Sequence, residues 1–402
     1  MVLQRRDHRD QAVLNISLDD VAYLTSVEGS AALAVAEALP LSDRISEIAA
    51  LRDQFGDRTP LLVETVLLRR RAVAKLSELP ESHDWLFTDE ALQQATAAPV
   101  ALYRSERLRG RVVHDVTCSI GTELAALSGS ATRVVGSDVD AVRLAMARHN
   151  LGDAVDLCRA DALRPVTRDT VVLADPARRS AGRRRFDPRD YQPALDELLE
   201  TYRGRSLVVK CAPGIDFDAV TQLGFDGEIE VTSYRGSVRE ACLWCGDLTA
   251  PGVRRRANMV DRGERVTDAD PDDCPVRAPG RWIVDPDGAV VRAGLVRHYG
   301  SRHGLWQLDP HIAYLSGEEL PPDVRGFEVL EQLAFDERRL RQALGALDCG
   351  ALEILVRGVN VEPDALRRRL ALRGDRSLAV VITRIGSGAT AKGMAFVCRP
   401  SR

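Results

Sequence analysis

Between residues 111 and 247, short apolar runs alternate with stretches long enough for a helix, and this alternation constrains the chain most. "RVVHDV", "RVVGSD", "TVVLADP" and "SLVVKCAP" each read as a buried strand ending in polar turn residues. Strands that are apolar throughout and separated by helices define a parallel sheet covered on both faces. The expectation is a doubly wound α/β fold, in which ligands sit at the carboxyl ends of the strands. "EIEVTSY" and "EACLWCGDL" follow with no long helix between them, like an antiparallel pair at the sheet end.

The chain's 402 residues exceed one ordinary core, which holds about 100–150 residues. Residues 1–100 read as a helical lobe: "SLDD" from Ser17 and "TDEAL" from Thr88 are helix-start signals, and "TPLLVETVLLRRRAVAKLSEL" has apolar residues at helical spacing. Residues 101–249 hold the sheet. Residues 250–324 read as a connecting region with a small β-containing segment, its first part (250–280) an irregular connection rich in Pro, Gly and charge. Residues 325–402 give a strand and helix order suited to a small α+β domain.

Net charge of −4 argues against a protein that coats nucleic acid indiscriminately. No secretory apolar core and no run near the ~20 residues of a membrane span is visible, so a cytoplasmic protein with no membrane partner is expected. Nothing in the sequence demands more than a monomer. The eight scattered cysteines read as reduced thiols. Cys242 and Cys245 form the one close pair but lack the further ligands of a zinc site, and no metal is expected. Among 55 basic residues only Lys75, Lys210 and Lys392 are lysines, so arginine clusters carry less weight here than usual.

The strand ends carry the chemistry. "DVTCSIGTEL", Asp115 to Leu124, has a glycine, Gly121, where a turn can bring backbone amides close to a ligand. The dinucleotide fingerprint G-x-G-x-x-G is absent, because Thr117, Ser119 and Thr122 stand nearby. Asp138 ends the second strand, where a carboxylate can accept both hydroxyls of a ribose. Asp161, followed by Ala162, comes after the third, and "ADPARR" closes the fourth.

Taken together, "DVTCSIGTEL", "GSDVD", "RADAL" and "DPAR" resemble the class I S-adenosylmethionine-dependent methyltransferases, especially the RNA-modifying branch. With "WIVDPDGAVVRAG" and "GLWQLDPHIAYL", the chain from about residue 17 to 400 resembles the bacterial members with a C-terminal THUMP-like domain. The resemblance implies a Rossmann-like methyltransferase sheet, S-adenosyl-L-methionine as cofactor, and RNA (tRNA or rRNA) as partner. It places Asp115, Ser119 and Gly121 near the methionine moiety, within a loop that also holds Thr117, Cys118 and Thr122. Asp138 falls on the ribose, and Asp161 with Ala162 at the adenine.

Enzymes that methylate exocyclic amines resemble one another in a strand-end Asp/Asn-Pro-Pro-aromatic motif; here it stands as Asp175-Pro176-Ala177-Arg178. Asp175 is the candidate amine acceptor, with Pro176 and Arg178 beside it. The second proline and the aromatic are missing, and Arg178, Phe186 or Tyr191 are candidates to stack on a base. Arg179, Arg183, Arg184 and Arg185 follow at once and suit RNA phosphates, although a solvated loop is the plainer reading. Two other functions compete: an RNA-binding module with a vestigial cofactor site, and a carbon-5 pyrimidine methyltransferase using Cys211, its thiolate favoured by Lys210. Methylation of protein or a small molecule is a third.

Overall fold

The computed structural model describes residues 14–41, 44–79, 82–178, 187–386 and 391–401. Two compact units result: residues 1–227 with 240–249, and residues 228–239 with 250–402.

The first unit opens with six helices: α1 (Leu18–Leu24), α2 (Val27–Glu37), α3 (Arg44–Phe55), α4 (Thr59–Leu76), α5 (Asp89–Gln94) and α6 (Ala98–Arg107). Ser17 accepts from the Asp20 amide while Asp20 reaches back to the Ser17 amide, and Ser26 and Thr88 cap α2 and α5. Proline stands in the first turn of α4 and α6, where an amide would lack a partner. Leu33, Leu62, Val66, Trp85 and Phe87 pack in one core with Ile120, Ala126 and Met146, so the helices share their interior with the sheet's own helices.

The sheet strands of this unit are β1 (Val112–Asp115), β2 (Arg133–Asp138), β3 (Asp156–Arg159), β4 (Val171–Ala174), β7 (Leu207–Cys211) and, from Glu240 onward, β9 (Ser237–Cys245). A two-residue ribbon, β5 (Ala177–Arg178) against β6 (Tyr191–Gln192), lies between β4 and β7 in the chain. Helices α7 (Thr122–Ser128), α8 (Ala141–Leu151), α9 (Leu195–Thr201) and α10 (Phe217–Gln222) complete it. The spatial order is β3-β2-β1-β4-β7-β9, parallel except for β9, which runs antiparallel to β7. Chain order runs outward from β1 to β3 and then returns to β4 on the other flank of β1. The topological switch point therefore lies between β1 and β4, where an open α/β sheet forms a crevice.

The second unit begins with β8 (Glu228–Tyr234), with β10 (Arg255–Met259) parallel to it and β11 (Glu264–Thr267) antiparallel to β10. These last two strands fall in the stretch expected to be an irregular connection. "RRANM" has no apolar alternation; its strand conformation comes from pairing, with Arg256 Nε 2.6 Å from Glu228 on β8. Then come β12 (Trp282–Val284), α11 (Gly288–Ala293), α12 (Val296–Arg302), β13 (Trp306–Asp309), β14 (Ile312–Gly317), β15 (Gly326–Ala334), α13 (Glu337–Ala346), β16 (Cys349–Arg357), α14 (Pro363–Leu370), β17 (Arg376–Ile385) and β18 (Lys392–Pro400). Their seven strands form one sheet, β13-β14-β12-β15-β18-β17-β16. Leu340, Leu344, Leu366 and Leu370 of α13 and α14 pack on Leu378, Val380 and Ile382, while Ile283, Phe327, Val381 and Phe396 form a separate core. This is the α+β arrangement expected of the C-terminal region.

Candidate active site

Four adjacent strands of the first unit end in one continuous hydrogen-bonded rim. The Thr117 amide donates to Asp115 Oδ1 at 3.0 Å, and the Asp175 amide donates to Thr117 Oγ1 at 2.6 Å. The Ser119 amide donates to Asp138 Oδ2 at 2.9 Å, and the Ala160 amide to the Asp138 carbonyl at 3.2 Å. Loop β1–α7, the ends of β2 and β3, and the end of β4 are thus fastened side by side, and the expected residues Asp115, Thr117, Ser119, Asp138 and Asp175 come together.

Gly121 sits at φ +91°, the left-handed region, and a Cβ there would lie 2.6 Å from Leu151 Cδ1. Only glycine permits this tight entry into α7. Ser119 takes φ +50° without being glycine, a conformation held by its amide bond to Asp138. Asn150 of α8 braces the same turn: its amide group bonds the Ile120 carbonyl and both backbone groups of Leu86. Thr122 is buried, with its hydroxyl unpartnered.

Other placements refine the expectations. Cys118 sends its thiol into the core with Val113 and Leu124, where burial pushes its pKa well up; only its backbone belongs to the rim. Asp161 is exposed and accepts from the Leu163 amide at 2.9 Å. Ala162 is buried, its carbonyl taking the Tyr202 hydroxyl at 2.5 Å. Tyr191 is buried and its hydroxyl accepts from the Ala212 amide at 2.9 Å, so this ring braces β7 and is not free to stack on a base. Arg178 contributes backbone to β5, while Arg179, Arg183, Arg184, Arg185 and Phe186 lie outside the described residues.

Beneath the rim lies a buried charge cluster that no motif in the sequence announces. Arg104 of α6 binds Glu123 at 2.5 Å and also Glu240 of β9. Lys210 of β7 lies 3.0 Å from Glu123 and 2.5 Å from Asp175 Oδ2. Burial pushes the Glu123 carboxyl up, but Arg104 and Lys210 more than offset this and bring it to about 2. Asp115, 1% exposed, is instead pushed up to about 8, chiefly by burial and against the Thr117 amide bond. A visible signal existed: Arg104 stands at an apolar position of α6, between Val100, Ala101 and Ser105 on the buried face.

Lys210 also alters the cysteine alternative. Its ammonium is engaged by two carboxylates, and Cys211, the next residue of the strand, points to the opposite face. The ammonium is thus directed at Asp175 and Glu123 and away from the face that carries the thiol. Cys242 and Cys245, three apart on β9, likewise face opposite ways, one toward Glu240 and one toward the Leu207 carbonyl.

A doubly wound sheet with acidic residues at the ends of its first, second and fourth strands, and no dinucleotide fingerprint, is the arrangement expected of the class I methyltransferases. Residues 324–400 match the THUMP domain-like family. Uncharacterized S-adenosylmethionine-dependent methyltransferases of Mycobacterium tuberculosis strains CDC 1551 and H37Rv are each 71% identical over 358 residues, covering 88% of this chain and all of theirs. A protein of Porphyromonas gingivalis W83 assigned as a methyltransferase has the same fold, with a TM-score of 0.73 at 20% identity over 93% of this chain and 99% of that one. The chain belongs to the S-adenosylmethionine-dependent methyltransferases with a C-terminal THUMP-like domain. Its cofactor is S-adenosylmethionine. The donor set fits that compound: the cluster holds three carboxylates (Glu123, Glu240, Asp175) to two cations (Arg104, Lys210), an excess that favours a cationic sulfonium. Among the described residues no helix is long and apolar enough to cross a membrane.

Proposed function

We propose that this enzyme methylates an exocyclic amine of a base in structured RNA, a tRNA or an rRNA, with Asp175 accepting a hydrogen bond from that amine. One observation carries the reading. Asp175 stands at the switch point with a side chain 36% exposed; Lys210 occupies Oδ2, and no described residue donates to Oδ1. A half-open carboxylate with one unused oxygen suits an amine that must be held with its lone pair directed away from the acceptor.

S-adenosylmethionine, when bound, supplies an electrophilic methyl group on sulfur. Bound there, it would let the amine nitrogen displace the sulfur, which would keep the bonding pair, while the proton lost by the nitrogen would pass to solvent water; the residues of this chain would hold the two reactants in line. Asp175 orients the amine, and Thr117 holds the Asp175 backbone. Pro176, buried next to it, has no amide hydrogen to compete for the acceptor. Asp138 would hold the ribose, Asp161 and Ala162 the adenine, and Asp115, Ser119 and Gly121 the amino-acid end.

RNA as partner is supported by the THUMP-like region and by α14, whose last turn carries Arg367, Arg368 and Arg369. Arg367 pairs with Asp364 and Arg369 with Glu337, while Arg368 is exposed. Bulk RNA from cells lacking the gene, incubated with the protein and methyl-labelled S-adenosylmethionine and then digested to nucleosides, tests the proposal. Label on a base amine is the expected result. Label on ring carbon 5 would overturn the amine assignment, and label only in protein or small molecules would overturn the RNA assignment.

Asp115 adds a pH signature. A carboxyl with a pKa near 8 is mostly protonated at pH 7 in the free protein. Its contribution to folding is complete below about pH 4, the unfolded value. That contribution is lost as pH rises through about 8. A cationic ligand beside it lowers that pKa, so binding releases a proton and affinity rises from pH 6 to 7.5. Calorimetry in two buffers of different ionisation enthalpy should detect the release at pH 7, and Asp115→Asn should abolish it. Equal proton release by the two proteins would refute the assignment of Asp115.

A further inference from the structure

Lys210 is one of three lysines among 55 basic residues, and the only buried one. The site thus uses an ammonium in a chain that uses arginine almost everywhere else. The ammonium lies as a compact point charge between Glu123 at 3.0 Å and Asp175 at 2.5 Å. Burial acts to lower its pKa, but Asp175 and Glu123 more than offset this and hold the ammonium well above the ordinary lysine range. The other charges facing it are Arg104 of α6, Glu240 of β9 and Asp115 of β1.

We propose that Lys210 is a positioning residue for methyl transfer: by holding Asp175 Oδ2 against β7, it leaves Oδ1 as the oxygen that meets the substrate amine. The inference rests on the role given to Asp175 above. Two further contacts fix the same carboxylate's setting. Thr117 accepts the Asp175 amide, and Tyr191, through the Ala212 amide, ties the ribbon after Asp175 to the end of β7. Glu123 keeps Lys210 anchored from below and is itself anchored by Arg104, so the chain of contacts runs from α6 through α7 and β7 to the strand end.

Lys210→Met separates positioning from simple support. Methyl transfer to RNA from cells lacking the gene should fall about 100-fold in kcat, the order expected for a displaced reacting group. The calorimetric Kd for S-adenosylmethionine should stay within about threefold and the melting temperature within a few degrees, because Arg104 still compensates Glu123. The double variant Lys210→Met/Asp175→Ala should lose no more kcat than Asp175→Ala, since the two residues act as a unit. Nitrogen NMR of the ammonium groups adds a readout without substrate: the signal that Lys210→Met removes should shift in Asp175→Ala, while those of Lys75 and Lys392 do not. Should Lys210→Met fail to fold, Lys210→Gln takes its place. An unchanged kcat, losses that multiply in the double variant, or an unmoved Lys210 signal each overturns the proposal. If Asp175→Ala itself keeps kcat, the role of Asp175 fails first; if it loses kcat while Lys210→Met does not, only the inference about Lys210 falls.

Discussion

Arg104→Met should destabilise the protein by about 3–5 kcal/mol, the cost typical of removing one partner from a buried ion pair. The guanidinium is 2% exposed and meets two carboxylates, Glu123 and Glu240. Burial acts against its charge, but the two glutamates more than offset that and hold its pKa well above the ordinary range. Without it, Glu240 loses its ion-pair partner Arg104 and keeps the Cys242 thiol, and Glu123 keeps Lys210 and Thr96. Calorimetric melting should show the midpoint of the first unit falling by roughly 10 °C, at about 2–4 °C per kcal/mol for a unit of about 150–250 residues. Adding Glu240→Gln to the variant should recover part of the loss, because one uncompensated charge is gone. A single variant that melts with the wild type would mean that water reaches this cluster. The effect should extend to catalysis, since the same Glu123 anchors the lysine beneath Asp175.

The second large effect is on turnover. Asp175→Ala should lower kcat for methyl transfer by about 100- to 1,000-fold, the range for a group that manages the reacting hydrogen. Cofactor affinity should fall by no more than a few-fold, because the groups assigned to the ribose, adenine and amino-acid end lie on β1, β2 and β3, and Asp175 adds only to the carboxylate excess that favours the sulfonium. Asp175→Asn keeps an oxygen acceptor and should fall between wild type and alanine. That ordering distinguishes an amine acceptor from a charge needed only for packing, which asparagine would fail to replace. Cys211→Ala, by contrast, should leave turnover within a few-fold of wild type. Its thiol is buried on the strand face opposite Lys210. Single-turnover assays on RNA with saturating S-adenosylmethionine measure all of these, and an Asp175→Ala enzyme at full rate would remove the acceptor from the mechanism.

What the chain determined on its own is the set of strands and the places where they stop. "RVVHDV", "RVVGSD", "TVVLADP" and "SLVVKCAP" become β1, β2, β4 and β7 because an apolar run with polar ends specifies a strand buried on both faces by local pattern alone. Asp115, Asp138 and Asp175 were legible for the same reason: each ends such a run or follows directly from one. Gly121 and its left-handed turn belong to the same class of local signals. The charged strands β10 and β11 were not legible, since their conformation depends on partners that pattern does not reveal.

Only the tertiary structure brought Arg104, Glu123, Lys210 and Glu240 under the rim. They come from α6, α7, β7 and β9, with up to 136 positions between bonded partners. No spacing rule couples residues so far apart; burial does, because charges removed from water must find one another. The same logic reassigned Lys210 from the neighbouring thiol to the carboxylate across the sheet, and Tyr191 from a stacking ring to a brace. Strand periodicity is a property of neighbouring residues, whereas charge compensation is a property of the closed core, and the chemistry of this site depends on the second.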